Sequence, residues 1–396
     1  MTLLSQSSYR TFDPSPYAFP APKVPVLAKR LATSLALAPS RNYEPITHGT
    51  VAEFYSRARY ALHEALRRLG VGPGTAVLVP AYHCRNMIDP VLSLGGEVLL
   101  YPVTETLDLD TANVDAALAG CRLPVRALLA THFFGFPQEL AAIKAWCDAR
   151  GIALIEDCAH AYFRPRSNSL LGRIGRYAIS SPYKFCPSYE GGVLIGLDGE
   201  RSPALGGRSL KESLSIGLSI VQENFRRIAD IRSLPAVPES IPTHASDSGA
   251  EPPAAMSAFY FSRYEGRRGL RLAEWIAALC NSDHIAQCRR ANYLRWQAAV
   301  QGFARGRALF PALPDGVVPY MFPLLLNHPL QDFYCLKRAG VPIMRWDSIA
   351  VSDCKVSMGY RLNLIQLPCH QDLGERELEW MIAAVRRVLQ GNKEVQ

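Results

Sequence analysis

Between residues 76 and 196 the chain keeps returning to one arrangement, a short and wholly apolar run followed by a stretch of helical spacing. The runs AVLV (76–79), VRALLAT (125–131) and IALI (152–155) have no polar face, and EVLLY (97–101) adds a fourth. Strands of that kind must be covered on both sides, and strands alternating with helices pair in parallel. Helical spacing near 87–94, 114–118 and 138–150 supplies the cover, and 177–180 and 193–196 read as two further short strands. The fold class expected is therefore α/β, with a mainly parallel central sheet between helices. Ligands of such sheets bind at the C-terminal ends of the strands.

Residues 51–69 carry Val51, Phe54, Ala58, Leu62, Ala65 and Leu69 at helical spacing, and Gly70 stops that helix before a Gly72-Pro73-Gly74 turn. Residues 1–45, rich in Pro and Ser, read as an arm laid on the body. The body divides into a large domain (46–233), a mobile Pro- and Ser-rich loop or linker (234–255) and a helical connection (256–304). A smaller C-terminal domain (305–396) closes the chain, with a last helix over 375–389.

Composition excludes several classes. With 48% apolar and 20% charged residues the chain buries a core and is not generally disordered. Its net charge of +8 comes from scattered residues without a long basic run, which reads as a basic solvated surface and not as a nucleic-acid binder. Ten cysteines show no CxxC pair and no metal-like Cys/His spacing, so they read as thiols in a reducing compartment with no metal. Lys29 and Arg30 interrupt the only apolar stretch near the N-terminus, and no later run reaches membrane-spanning length. A cytoplasmic address is expected.

Two stretches carry chemistry. In IALIEDCAHAYF (152–163) an apolar strand delivers Glu156 and Asp157 to its C-terminal end. In RYAISSPYKFCPSYEGGVLIG (176–196) Ser180, Ser181 and Lys184 follow another short strand and precede Gly191-Gly192. The chain has only eight lysines, which makes one between a strand and a glycine turn conspicuous.

EDCAH, then SSPYK, then EGG stand in the order and at a spacing similar to those of the DegT/DnrJ/EryC1/StrS aminotransferases, mostly sugar aminotransferases. The resemblance covers roughly residues 46–200, is weaker from 200 to 300 and returns near LPCHQDL (367–373). It implies an aspartate-aminotransferase-like, fold type I enzyme with pyridoxal 5'-phosphate (PLP) as cofactor. Lys184 would then hold the cofactor's aldehyde and move protons at the substrate carbon, and Asp157 would keep the ring nitrogen protonated. His160 matches the family's Gln/His position beside the ring or its 3-oxygen. The family's phosphate turn falls on Ser56-Arg57-Ala58-Arg59-Tyr60, where Ala58 replaces a glycine and Arg59, with Ser180 or Ser181, would reach the phosphate. Its stacking ring falls near Pro80-Ala81-Tyr82-His83-Cys84, which offers Tyr82 or His83; THFFGFP (131–137) matches a strand-to-loop segment.

The same resemblance implies a homodimer, with Glu190 and residues 289–293 as candidates for the partner's site. It also implies small-molecule substrates: an amino-acid donor, typically glutamate, and a ketone acceptor such as a keto-sugar nucleotide or natural-product intermediate. A PLP-dependent dehydratase or lyase, and a non-catalytic PLP-binding regulator, are the alternatives on this scaffold. In the family's sugar dehydratases histidine replaces the lysine, so the retained Lys184 favours transamination.

Overall fold

A computed structural model describes residues 19–35, 39–196, 206–207, 214–215, 217–218, 222, 259–346 and 348–390. The expected linker at 234–255 and the first 18 residues of the arm lie outside the described residues.

The centre is a seven-stranded sheet in the order β2 (Ala52–Tyr55), β9 (Gly192–Gly196), β8 (Tyr177–Ser180), β6 (Ala153–Cys158), β5 (Val125–Thr131), β3 (Ala76–Pro80), β4 (Glu97–Tyr101). The five strands from β8 to β4 run parallel, while β9 and β2 are antiparallel to their neighbours. Every residue of β3 is buried, which is why its sequence shows no alternation. Helices α1 (Ala58–Arg68), α2 (Arg85–Ser93), α3 (Thr111–Leu118) and α4 (Ala141–Asp148) flank the sheet. A two-stranded pair, β1 (Tyr43–Pro45) with β7 (Phe163–Pro165), lies apart from it.

The first helix is shorter than its periodicity suggests. Residues 52–55 form an edge strand whose register with β9 runs from Ala52–Ile195 to Tyr55–Gly192. A ladder of backbone hydrogen bonds to a buried partner outweighs the few tenths of a kcal/mol that local propensity offers. Arg57 stays extended (φ −146°, ψ 154°), and the helix starts at Ala58.

Beyond residue 259 the helical reading holds from 271 onward and in two pieces, α5 (Arg271–Leu279) and α6 (Ser282–Val300). The break is chemical: Cys280 is extended, and Asn281 caps α6 by accepting from the His284 N–H at 2.8 Å. A second, antiparallel sheet follows, β10 (Gly306–Ala308), β11 (Met321–Leu326) and β12 (Leu364–Pro368). Together with α6, α7 (Pro329–Arg338) and α9 (Glu375–Leu389) it encloses its own apolar cluster, which includes Trp296, Phe322, Ile365, Met381 and Val385. Burying each such side chain stabilises by about 1.5–3 kcal/mol.

The C-terminal part docks on the large sheet through residues 348–360, the later ones in α8 (Lys355–Asn363). Ser357 donates to the Ala81 carbonyl at 2.6 Å, Tyr360 to that of Glu105 at 2.6 Å, and the Ala350 N–H to His83 Nε2 at 3.2 Å.

Candidate active site

Strand β6 ends with two carboxylates that point to opposite faces, because side chains alternate along a strand. Glu156 takes hydrogen bonds from the backbone N–H groups of Ile174 (2.6 Å), Gly175 (2.8 Å) and Gly172 (2.9 Å), and lies 3.2 Å from His132 Nε2. His132 Nδ1 accepts from the Gln138 N–H at 2.9 Å, so its proton sits on Nε2 and is donated to Glu156. Burial raises the proton affinity of Glu156, but His132 and the backbone donors prevail and hold it below the usual carboxylate range. Cys158 completes a His/Glu/Cys cluster here. Since donors already occupy the Glu156 oxygens, the cluster is a hydrogen-bonded anchor for the 172–175 loop.

Asp157 faces the other way, into a cavity that His160, Ser181 and Lys184 also line. It is 2% exposed and receives one backbone hydrogen bond, from Ala159 at 2.9 Å. Burial pushes its pKa up, opposed by Ala159, Lys184 and His132. An ionised carboxylate there calls for a cation.

Lys184 ends a one-turn 3-10 helix (Pro182–Lys184) just past β8. Its N–H donates to the Ser181 carbonyl at 3.0 Å, and its Nζ lies 5.2 Å from the centroid of Tyr320. That ring also stacks on His160, at 4.3 Å with 22° between planes. His160 Nδ1 accepts from the Phe134 N–H at 3.3 Å, which leaves the proton on Nε2. Burial, reinforced by Lys184, holds the His160 pKa well below its ordinary value, so the ring is neutral at pH 7.

The far end of the cavity is the start of α1. Arg57 there has no side-chain cap, and Ala58, Arg59 and Ser181 line the wall. The glycine pair explains how β9 reaches this point: a Cβ on Gly192 would lie 2.1 Å from the Arg57 carbonyl carbon, and Gly191 has φ +140°. Arg57 donates to the Tyr189 carbonyl at 2.8 Å and covers the Tyr183 ring at 4.7 Å, while Arg59 donates to the Phe259 carbonyl at 2.5 Å.

Six of the residues singled out in the sequence thus share one cavity: Asp157, His160, Lys184, Ser181, Ala58 and Arg59. Three do not line it. Ser180 turns its hydroxyl to the Cys158 carbonyl at 2.7 Å. Tyr82 stacks on Trp346 at 4.8 Å. His83 is buried between the Pro80 and Ala81 carbonyls and the Ala350 N–H, and burial lowers its pKa to about 4. The dipeptide therefore secures the 346–350 segment, and Cys84, Asn86 and Met87, at the start of α2, reach the cavity instead. Glu190 accepts from the Leu270 N–H at 2.8 Å, Asn292 donates to the Cys369 and His370 carbonyls, and Tyr293 is core, so these are engaged within the chain. Tyr320 carried no signal in the sequence and Arg289 only as part of the 289–293 stretch; the fold brings both to Lys184 of their own chain.

The donor set fits PLP. A carboxylate stands where a ring N–H⁺ would need one, an amine can meet an aldehyde, a neutral imidazole offers one N–H, and a helix start with arginines offers an anion site.

Residues 54–205 match the sequence profile of the DegT/DnrJ/EryC1/StrS aminotransferase family. Among solved structures, the aminotransferase TlmJ from Streptoalloteichus hindustanus is similar at 19% identity and a TM-score of 0.59, with 85% of each chain covered. PseC from Helicobacter pylori, an aminotransferase of pseudoaminic acid biosynthesis, is similar at 13% identity and a TM-score of 0.60, covering 94% of this chain and all of its own. DesV from S. venezuelae is similar at 19% identity and a TM-score of 0.57, with 87% of this chain and 85% of its own covered. Residues 54–205 are thus similar in sequence to the DegT/DnrJ/EryC1/StrS aminotransferase family, and the chain has the fold that these solved aminotransferases share.

Proposed function

We propose that this protein is a PLP-dependent aminotransferase in which Lys184 and Asp157 do the central work. It would move an amino group from an amino-acid donor, glutamate in the first instance, to a ketone acceptor such as a keto-sugar nucleotide or natural-product intermediate. The observation that carries this reading is the convergence of Lys184, Asp157 and His160 on one cavity that begins at the α1 N-terminus. When bound, PLP supplies an electron-accepting ring that stabilises negative charge at the substrate carbon.

The residues divide the remaining tasks. Lys184 would hold the aldehyde and would take and return the proton at the substrate carbon. Asp157, whose ionised form is disfavoured by burial, gains most from a cationic N–H facing it and so keeps that nitrogen protonated. His160, its Nδ1 held by the Phe134 N–H, would offer its Nε2 proton to an oxygen of the cofactor. The start of α1, with Arg57 and Ser181 beside it, would receive the phosphate.

A homodimer is part of the same reading. Leu272, Trp275 and Leu279 recur along one side of α5 and are 40%, 62% and 67% exposed. Apolar surface of that extent asks for a partner. No helix among the described residues is long and apolar enough to cross a membrane, and all ten cysteines are free, which supports a reducing, cytoplasmic setting.

Glutamate and other amino acids offered one at a time to the PLP-loaded protein test the reaction class. Transamination predicts loss of the visible band and appearance of pyridoxamine phosphate by mass spectrometry with at least one donor. A band that survives every donor removes the aminotransferase reading and favours elimination chemistry on the same lysine.

A further inference from the structure

Arg289, on α6, has no exposed surface. Its guanidinium donates to the carbonyls of Pro319 (3.2 Å) and Tyr320 (3.0 Å) through one nitrogen and to that of Lys184 (2.9 Å) through another. The group also lies 4.5 Å from the Phe185 ring centroid. One rigid fork therefore joins the main chain carrying the amine to the main chain carrying the ring that faces it. The next carbonyl along, that of Phe185, is held by Gln371 Nε2 at 2.8 Å.

Consecutive carbonyls of a one-turn segment, each taken by a side chain from a distant part of the sequence, fix that segment in place. The side chains of the bridged residues then meet, with Lys184 Nζ 5.2 Å from the Tyr320 centroid and the same ring stacked on His160. An ammonium over an aromatic face is attracted to it, and that attraction selects one direction for a side chain of four rotatable bonds.

We infer that Arg289 and Tyr320 are positioning residues for Lys184: the Arg289 fork sets the main chains, and the Tyr320 ring aims the amine and holds the plane of His160. The inference rests on the proposed role of Lys184. It is specific to guanidinium geometry, because a lysine at 289 keeps a charge but has three donors on a single point and cannot span the carbonyls of two separate segments. It is equally specific to the ring of Tyr320 and indifferent to its hydroxyl. Asp157, His160 and Cys84 also face Lys184 electrostatically and remain unchanged in these variants.

The test compares wild type with Tyr320→Phe, Tyr320→Leu and Arg289→Lys. PLP affinity is read by fluorescence quenching, cofactor orientation by induced visible circular dichroism per bound PLP, and folding by thermal melting without cofactor. Tyr320→Phe should match wild type. Tyr320→Leu should lose most of the induced signal per bound PLP, out of proportion to any change in melting. Arg289→Lys should lose the induced signal as well; if it does not fold, the Tyr320 pair decides. An unchanged induced signal in Tyr320→Leu, or a loss that tracks melting alone, overturns the inference. A wild type that takes up no PLP fails differently, removing the proposed function and the inference with it.

Discussion

On one side of β6 the carboxylate of Glu156 is surrounded by N–H donors and sits below its ordinary pKa; on the other side, one residue later, Asp157 has a single backbone donor and sits above its own. The two residues share a strand end and near-total burial. What separates them is satisfaction. The first face is complete as folded and holds the 172–175 loop, whereas the second opens on the cavity with an acid that is costly to ionise until a cation arrives.

Replacing Asp157 with Asn should have the larger effect, and on function. Turnover should fall by about 10²–10³-fold, as when one preorganised electrostatic partner is lost, with weaker PLP retention. The same change should raise the melting temperature of the cofactor-free protein at pH 7. An acid whose folded pKa lies above its unfolded value favours the folded state only while protonated, and that advantage is lost as pH rises through the folded pKa. If Asp157→Asn melts lower and turns over normally, the two faces are not different in kind.

Replacing Glu156 with Gln should have the smaller effect, and on stability. Mismatched donors at the 172–175 loop should cost about 2 kcal/mol in urea unfolding at pH 7. Because its folded pKa is depressed, the Glu156 contribution is present above the unfolded value of about 4.5 and is lost as pH falls through the folded one. The gap between variant and wild type should therefore close in acid. A constant gap would mean that volume and not charge holds the loop.

The same contrast explains what the sequence could disclose. β4, β5 and α9 have the residue limits expected of them, because apolar runs and helical spacing act locally. Asp157 and Lys184 were legible because one lies at the end of a strand and the other just past another, and strand ends in a parallel sheet gather at one edge. The strand at 52–55 was hidden by a periodicity that also suits a helix, and only its pairing with β9 decides. Tyr82 and His83 precede the residues that enter the cavity by a turn of chain, and which of them faces inward depends on where the 346–350 segment docks. Tyr320 and Arg289 reach Lys184 only through long-range packing, for which the sequence has no period.

The account stands on Lys184 as the amine that holds the cofactor. Borohydride reduction of the PLP-loaded protein, followed by proteolysis and mass spectrometry, should place the pyridoxyl label on the peptide containing Lys184 and abolish labelling in Lys184→Ala. Label on another lysine, or a reduced protein that carries none, would contradict it.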